Sequence, residues 1–97
     1  MSETTPNVEF TLLDKVKEYL KSGEDDELER IITRAKSRLN KLAGVLLDFD
    51  EPDTEQLLLD LCRYLYNNAS EYFEENYKSE ILRLQLDKAV EVMLSEG

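Results

Sequence analysis

Residues 25–44 read DDELERIITRAKSRLNKLAG. The apolar side chains Ile31, Ile32, Ala35, Leu39 and Leu42 follow Leu28 at offsets of 3, 4, 7, 11 and 14, which traces one face of a helix. Asp25, Asp26, Glu27 and Glu29 open the run, and Arg30, Arg34, Lys36, Arg38 and Lys41 fill the remainder. That order complements the helix dipole, at about 0.3–1 kcal/mol per well-placed charge. The spacing predicts a helix over Asp25–Leu42, ended by Gly44 in the left-handed conformation.

Outward from this helix, Gly and Pro occur only at Pro6, Gly23, Gly44, Pro52 and Gly97. Both are poor in helix interiors, so the long stretches between them are predicted helices. Upstream, a helix over Leu12–Ser22 is capped by Thr11 and stopped by Gly23, with Leu13, Val16 and Leu20 on one stripe. Residues 1–10 read as a flexible arm with Val8 and Phe10 as its only anchors. Downstream, Val45–Asp53 is a connector, either folded back or extended. A helix starts after Pro52, with Asp53 or Thr54 as its cap, and reaches about Glu75. Its apolar residues, from Leu57 to Phe73, spread around more than one face, so it is expected to be buried on several sides. At about 1.5 Å per residue it would span roughly 30 Å as a long central helix. The last helix, over Ser79–Ser95, carries Leu82, Leu86, Ala89, Val90 and Met93 on one stripe, with Ile81, Leu84, Val92 and Leu94 pointing elsewhere. Two apolar faces exceed what one small domain covers, which points to an intermolecular contact. The expected fold is all-α: a single domain over 11–97, a small bundle of about four helices.

Composition bounds the function. A chain of 97 residues holds one core and leaves no room for a deep substrate cavity. Twenty-two acidic residues against twelve basic ones give a formal charge of −10, which disfavours nucleic acid or an anionic membrane as an attractive partner. No apolar run approaches the roughly 18 residues of a membrane span. MSETTPNVEF lacks the basic and apolar regions of a signal peptide. The lone Cys62 excludes an intramolecular disulfide and fits a reducing compartment.

The sequence offers no catalytic, metal or cofactor residue. With no His in the chain, histidine-based nucleophile systems and histidine metal sites are excluded. No Gly-rich phosphate loop occurs. Cys62 lies between Leu61 and Tyr64 in the most apolar helix and reads as an inert buried hydrophobe. Asp48, Asp50, Asp53 and Glu55 invite a calcium reading, but the spacing misses the Gly and Glu that an EF-hand loop requires. Arg30, Arg34, Arg38 and Lys41 form a basic ridge. It is either a solvated face or an inter-subunit contact with an acidic neighbour, and an acidic loop with a basic ridge suits head-to-tail packing. Tyr64, Tyr66, Tyr72, Phe73 and Tyr77 read as core or interface packing, since no basic groove accompanies them for base stacking.

The order of elements resembles a known family. TLLDKVKEYLKSGEDDELERIITRAKSRL, residues 11–39, is similar to the opening of the head–tail connector (adaptor, or head-completion) proteins of tailed bacteriophages. That opening is a short helix, an acidic turn and an amphipathic helix. TEQLLLDLCRYLYNNASEYFEENYKSEILRLQ, residues 54–85, resembles the family's long central helix running into a final helix. The likeness covers residues 11–94.

The resemblance implies a structural role in the virion, at the head–tail junction, for a protein made in the bacterial cytoplasm. It implies a homo-oligomeric ring of about twelve copies under the portal protein. Such a ring extends the DNA channel and presents a platform to the next head-completion (stopper) or tail protein. Carried onto this chain, the portal contact falls on Leu86, Val90, Met93 and Leu94. The channel-facing or stopper-facing loop falls on Asp48, Phe49, Asp50 and Glu51. DNA would pass without specific binding, because carboxylates repel a polyanion and add no friction. No catalysis, cofactor or membrane is implied. Like charges should make assembly salt-sensitive, with a largely monomeric free chain that rings up on the portal. The rival reading is an acidic regulatory module that mimics DNA and occupies a DNA-binding protein. Its support is the charge and the acid-only stretch between Lys41 and Arg63.

Overall fold

The computed structural model describes residues 11–96. The arm expected over 1–10, with its anchors Val8 and Phe10, lies outside them. Among the described residues the chain is all-helical, with no strand. The helices are α1 (Leu12–Leu20), α2 (Asp25–Ala43), α3 (Pro52–Tyr66), α4 (Phe73–Asn76) and α5 (Lys78–Glu96), with a 3-10 turn over Ser70–Tyr72 before α4.

α1 begins at a reciprocal cap. The Thr11 hydroxyl accepts the Asp14 N–H at 3.1 Å, and the Asp14 carboxylate accepts the Thr11 N–H at 3.1 Å, so two otherwise orphaned donors are satisfied. The helix stops at Leu20, earlier than expected, because Lys21 takes the left-handed conformation at φ 63°. Gly23 serves a different purpose. Its φ is +102°, and a Cβ there would lie 2.8 Å from Leu28 Cδ2 and 3.2 Å from Tyr66 Cε1. Glycine lets the α1–α2 turn press onto both neighbours.

α2 ends where the sequence predicts. Gly44 is left-handed at φ 78°, and its N–H reaches the Asn40 carbonyl. Asn40 Oδ1 also accepts the Leu47 N–H at 2.9 Å, which folds the connector back onto α2. The N-cap position of α3 falls on Glu51, one residue before Pro52, rather than on Asp53 or Thr54, and its side chain makes no capping hydrogen bond. Proline suits the first helical position, where its missing N–H costs nothing.

The expected long helix to Glu75 is broken at Asn67–Asn68. Asn68 is left-handed at φ 57°. Its N–H bonds to Leu65 O at 3.1 Å, and the Ala69 N–H bonds to Tyr64 O at 2.8 Å. These two bonds close a Schellman motif, with asparagine in the position glycine usually takes. α3 is therefore 15 residues long, and the chain turns back through the 3-10 turn and α4. Tyr64 and Phe73 meet edge to face at 5.6 Å, and Phe73 stacks on Tyr77 at 4.7 Å. This aromatic cluster fixes the corner.

The core is one cluster. Val16, Leu28, Ala35, Leu39, Leu58, Leu61, Cys62 and Phe73 are fully buried, and Ile81 and Leu84 join from α5. α3 is buried on several sides and packs on α1 and α2, while α2 packs on α1, α3 and α5 and so shares the middle of the bundle with it.

Candidate functional site

Successive residues of a helix are about 100° apart, and on α5 this separates two apolar faces. Ile81, Leu84 and Lys88 fall together on the side that packs on the body, and all three are buried. Leu82, Leu86, Val90 and Met93 fall on the opposite side and stand 55%, 58%, 52% and 69% exposed. Leu94, near the helix end, is also exposed. The stripe of Leu82, Leu86, Val90 and Met93 thus faces outward, and of the residues read as pointing elsewhere Ile81 and Leu84 hold the helix in place, whereas Val92 and Leu94 are exposed. Gln85 assists by donating to the Leu42 carbonyl at 2.8 Å, which ties α5 to the end of α2. All four positions assigned to the portal contact, Leu86, Val90, Met93 and Leu94, lie on the exposed surface.

Among the described residues Lys88 is the one buried charged residue of α5. Its Nζ stands 3.3 Å from Glu51 and 3.3 Å from Glu91. Burial pulls its pKa down, but the hydrogen bonds and charge of the two carboxylates outweigh that, and the net shift is upward.

The connector loop divides. Asp48 and Asp50 are exposed, and Asp48 Oδ1 accepts the Asp50 N–H at 3.0 Å. Phe49 is instead half-buried against the core, with Lys36 Nζ 5.7 Å from its ring centre. Glu51 stands at the N-cap position of α3, and its carboxylate pairs with Lys88. Of the four loop residues assigned to a channel or stopper, only Asp48 and Asp50 are thus left to solvent without a packing or pairing task. The basic ridge divides likewise. Arg38 pairs with Glu74 at 3.0 Å, whereas Arg30, Arg34 and Lys41 are exposed and make no ion pair among the described residues.

Sequence reasoning missed a buried carboxylate. Asp60 is 8% exposed. It accepts hydrogen bonds from the Tyr19 hydroxyl and from Gln56 Nε2. The bond to Asp60 is the main reason the Tyr19 pKa is raised, with burial adding to it. Burial, then the Asp60 charge, raises Tyr77. The available signal was an acid set inside LLLDLC, the most apolar run of the chain.

Cys62 is fully buried, and desolvation pushes its thiol up to about 12. It is protonated at neutral pH, so this sulfur is no nucleophile. The acids of the calcium reading do not converge. Glu55 goes to Lys15 at 2.6 Å, and no metal-binding group of three or more His, Cys, Asp or Glu side chains occurs among the described residues. No described helix is long and apolar enough to cross a membrane.

Compared with known proteins, the chain matches no family model, no curated protein and no solved structure.

Proposed function

We propose that this chain is a structural adaptor of a tailed bacteriophage: a non-catalytic ring subunit that sits under the portal and joins head to tail. The observation that carries the reading is the second apolar face of α5. A helix held to its own domain by Ile81 and Leu84, with Leu82, Leu86, Val90 and Met93 turned outward, is built to be covered by something else. The four longer helices, α1, α2, α3 and α5, form the adaptor body, and α5 docks on the portal through Leu86, Val90, Met93 and Leu94.

The electrostatics suit a DNA conduit. Asp48 and Asp50 carry charge on an exposed turn, and repeated around a ring they would centre a polyanion by repulsion. The like charge of the copies opposes assembly of the free chain, so the portal supplies the template.

The test is to mix the chain with the portal protein of the same virus, sediment the mixture and image it by negative stain. A ring of the chain on one end of the portal is expected. A chain that stays at the top of the gradient beside portal particles overturns the reading. Co-purification with a DNA-binding protein instead would favour the DNA-mimic rival.

A further inference from the structure

We infer that the acidic furrow between α3 and α5 receives the basic ridge of α2 from a second copy of this chain. The furrow encloses about 360 Å³. Asp53, Asp60, Glu80 and Asp87 line it against a single cation, Arg83, with Tyr77 as an aromatic wall. Four negative charges less one leave three uncompensated. Asp60 is more than nine-tenths buried there, yet no ion pair reaches it among the described residues, and its donors Tyr19 and Gln56 are neutral. A buried carboxylate held only by neutral donors gains most from a cation brought to it.

The cation source is on the same molecule but out of its own reach. No α2 residue lines the furrow. On α2, Arg30, Arg34 and Lys41 are exposed and unpaired among the described residues. At about 1.5 Å per residue, Arg34 and Lys41 are roughly 10 Å apart along the axis. Glu80 and Asp87 on α5 have the same seven-residue spacing, so the two rows of charge match in length. A contact between unlike surfaces of identical chains is heterologous, and such contacts build rings or open arrays. The inference deepens the adaptor reading by naming which face meets which neighbour, and as a ring contact it rests on that reading.

The test uses two charge-reversed chains. One carries Arg34→Glu with Lys41→Glu, the other Glu80→Lys with Asp87→Lys. All four positions are exposed and outside every ion pair among the described residues. Lys41 in the last turn of α2 and Glu80 in the first turn of α5 sit favourably on their helix dipoles, so each double variant loses a little stability but stays folded, which circular dichroism verifies. Self-association is measured by sedimentation over a concentration series at physiological salt, where screening over about 8 Å mutes the overall like-charge repulsion. The wild type is expected to associate weakly. Each variant alone should associate roughly tenfold less. Their equimolar mixture should recover association, because each reversed row then meets a row of opposite sign. A wild type that is monomeric throughout, variants that associate as it does, or a mixture that stays apart would each overturn the inference. None of these results touches portal binding, and a wild type that pairs with itself but ignores the portal would sink the adaptor reading alone.

Discussion

Lys88, on the packed face of α5, reaches across to Glu51, the residue at the N-cap position of α3, with 3.3 Å between Nζ and Oε1. One ammonium thus ties the last helix to the head of α3. Its carboxylate partners are each about half exposed or more, at 48% for Glu51 and 61% for Glu91, so water already screens much of the attraction. Lys88→Met keeps the aliphatic stem and removes only the charge, and should cost about 1 kcal/mol or less. Lys88→Ala also loses the packing of the stem and should cost more. Urea denaturation of both variants checks the order.

Stability should fall at alkaline pH, and every shifted group pushes the same way. Cys62, Tyr19, Tyr77, Lys88 and Lys17, the last paired with Asp25, all hold their protons more tightly in the fold than in the unfolded chain. Each contribution is intact below the unfolded pKa and is lost as pH climbs through the folded one. For Cys62 that window runs from 9.0 to about 12. Melting temperature should therefore decline steadily above pH 9, and Cys62→Ala should flatten the first part of the decline. A wild-type curve that is level across this window would contradict the assignment.

Two glycines separate conformational strain from steric fit. Gly23 and Gly44 both have positive φ. At Gly44 an added Cβ meets nothing within 4 Å, whereas at Gly23 it meets Leu28 and Tyr66. Gly44→Ala should cost about 1–2 kcal/mol from the left-handed backbone alone. Gly23→Ala carries that cost plus the clash, so it should be the more damaging of the two. Paired thermal melts decide it.

The sequence made the ends of α2 legible because both features that set them are local: an acidic first turn and Gly44. Thr11 was legible as a cap for the same reason. The end of α3 was not, since Ala69, Tyr72 and Phe73 continue an apolar pattern past a turn set by Asn68, a residue that enters the left-handed region without announcing it as glycine does. Asn68→Gly should accordingly leave stability level or raise it, whereas Asn68→Val should lower it by about 1 kcal/mol or more. On α5 periodicity identified two stripes but could not rank them. The packed stripe carries Lys88, which lowers its apparent hydrophobicity, while the outward stripe is the more apolar. Only the positions of Leu42, Glu51 and the core decide which side turns inward. Asp60 stayed hidden because its partners Tyr19 and Gln56 are placed by the fold, not by spacing.

The outward stripe of α5 can be tested apart from the fold. Leu86 and Met93 make no contribution to the buried cluster, so Leu86→Glu and Met93→Glu should each change unfolding free energy by no more than about 0.5 kcal/mol. Both place a carboxylate in the middle of a surface that must lose its water when covered, and an unpaired charge is costly to desolvate. Portal binding should therefore weaken by at least roughly tenfold for either change, and by more for both together. Glu91→Gln, on the Lys88 side of the same helix, serves as the control and should leave binding close to wild type. The contrast is informative because the three positions lie on one helix, within a few turns of each other, and differ in the direction they face. If Leu86→Glu and Met93→Glu bind the portal as the wild type does, α5 is not the docking helix, whatever else the chain assembles with.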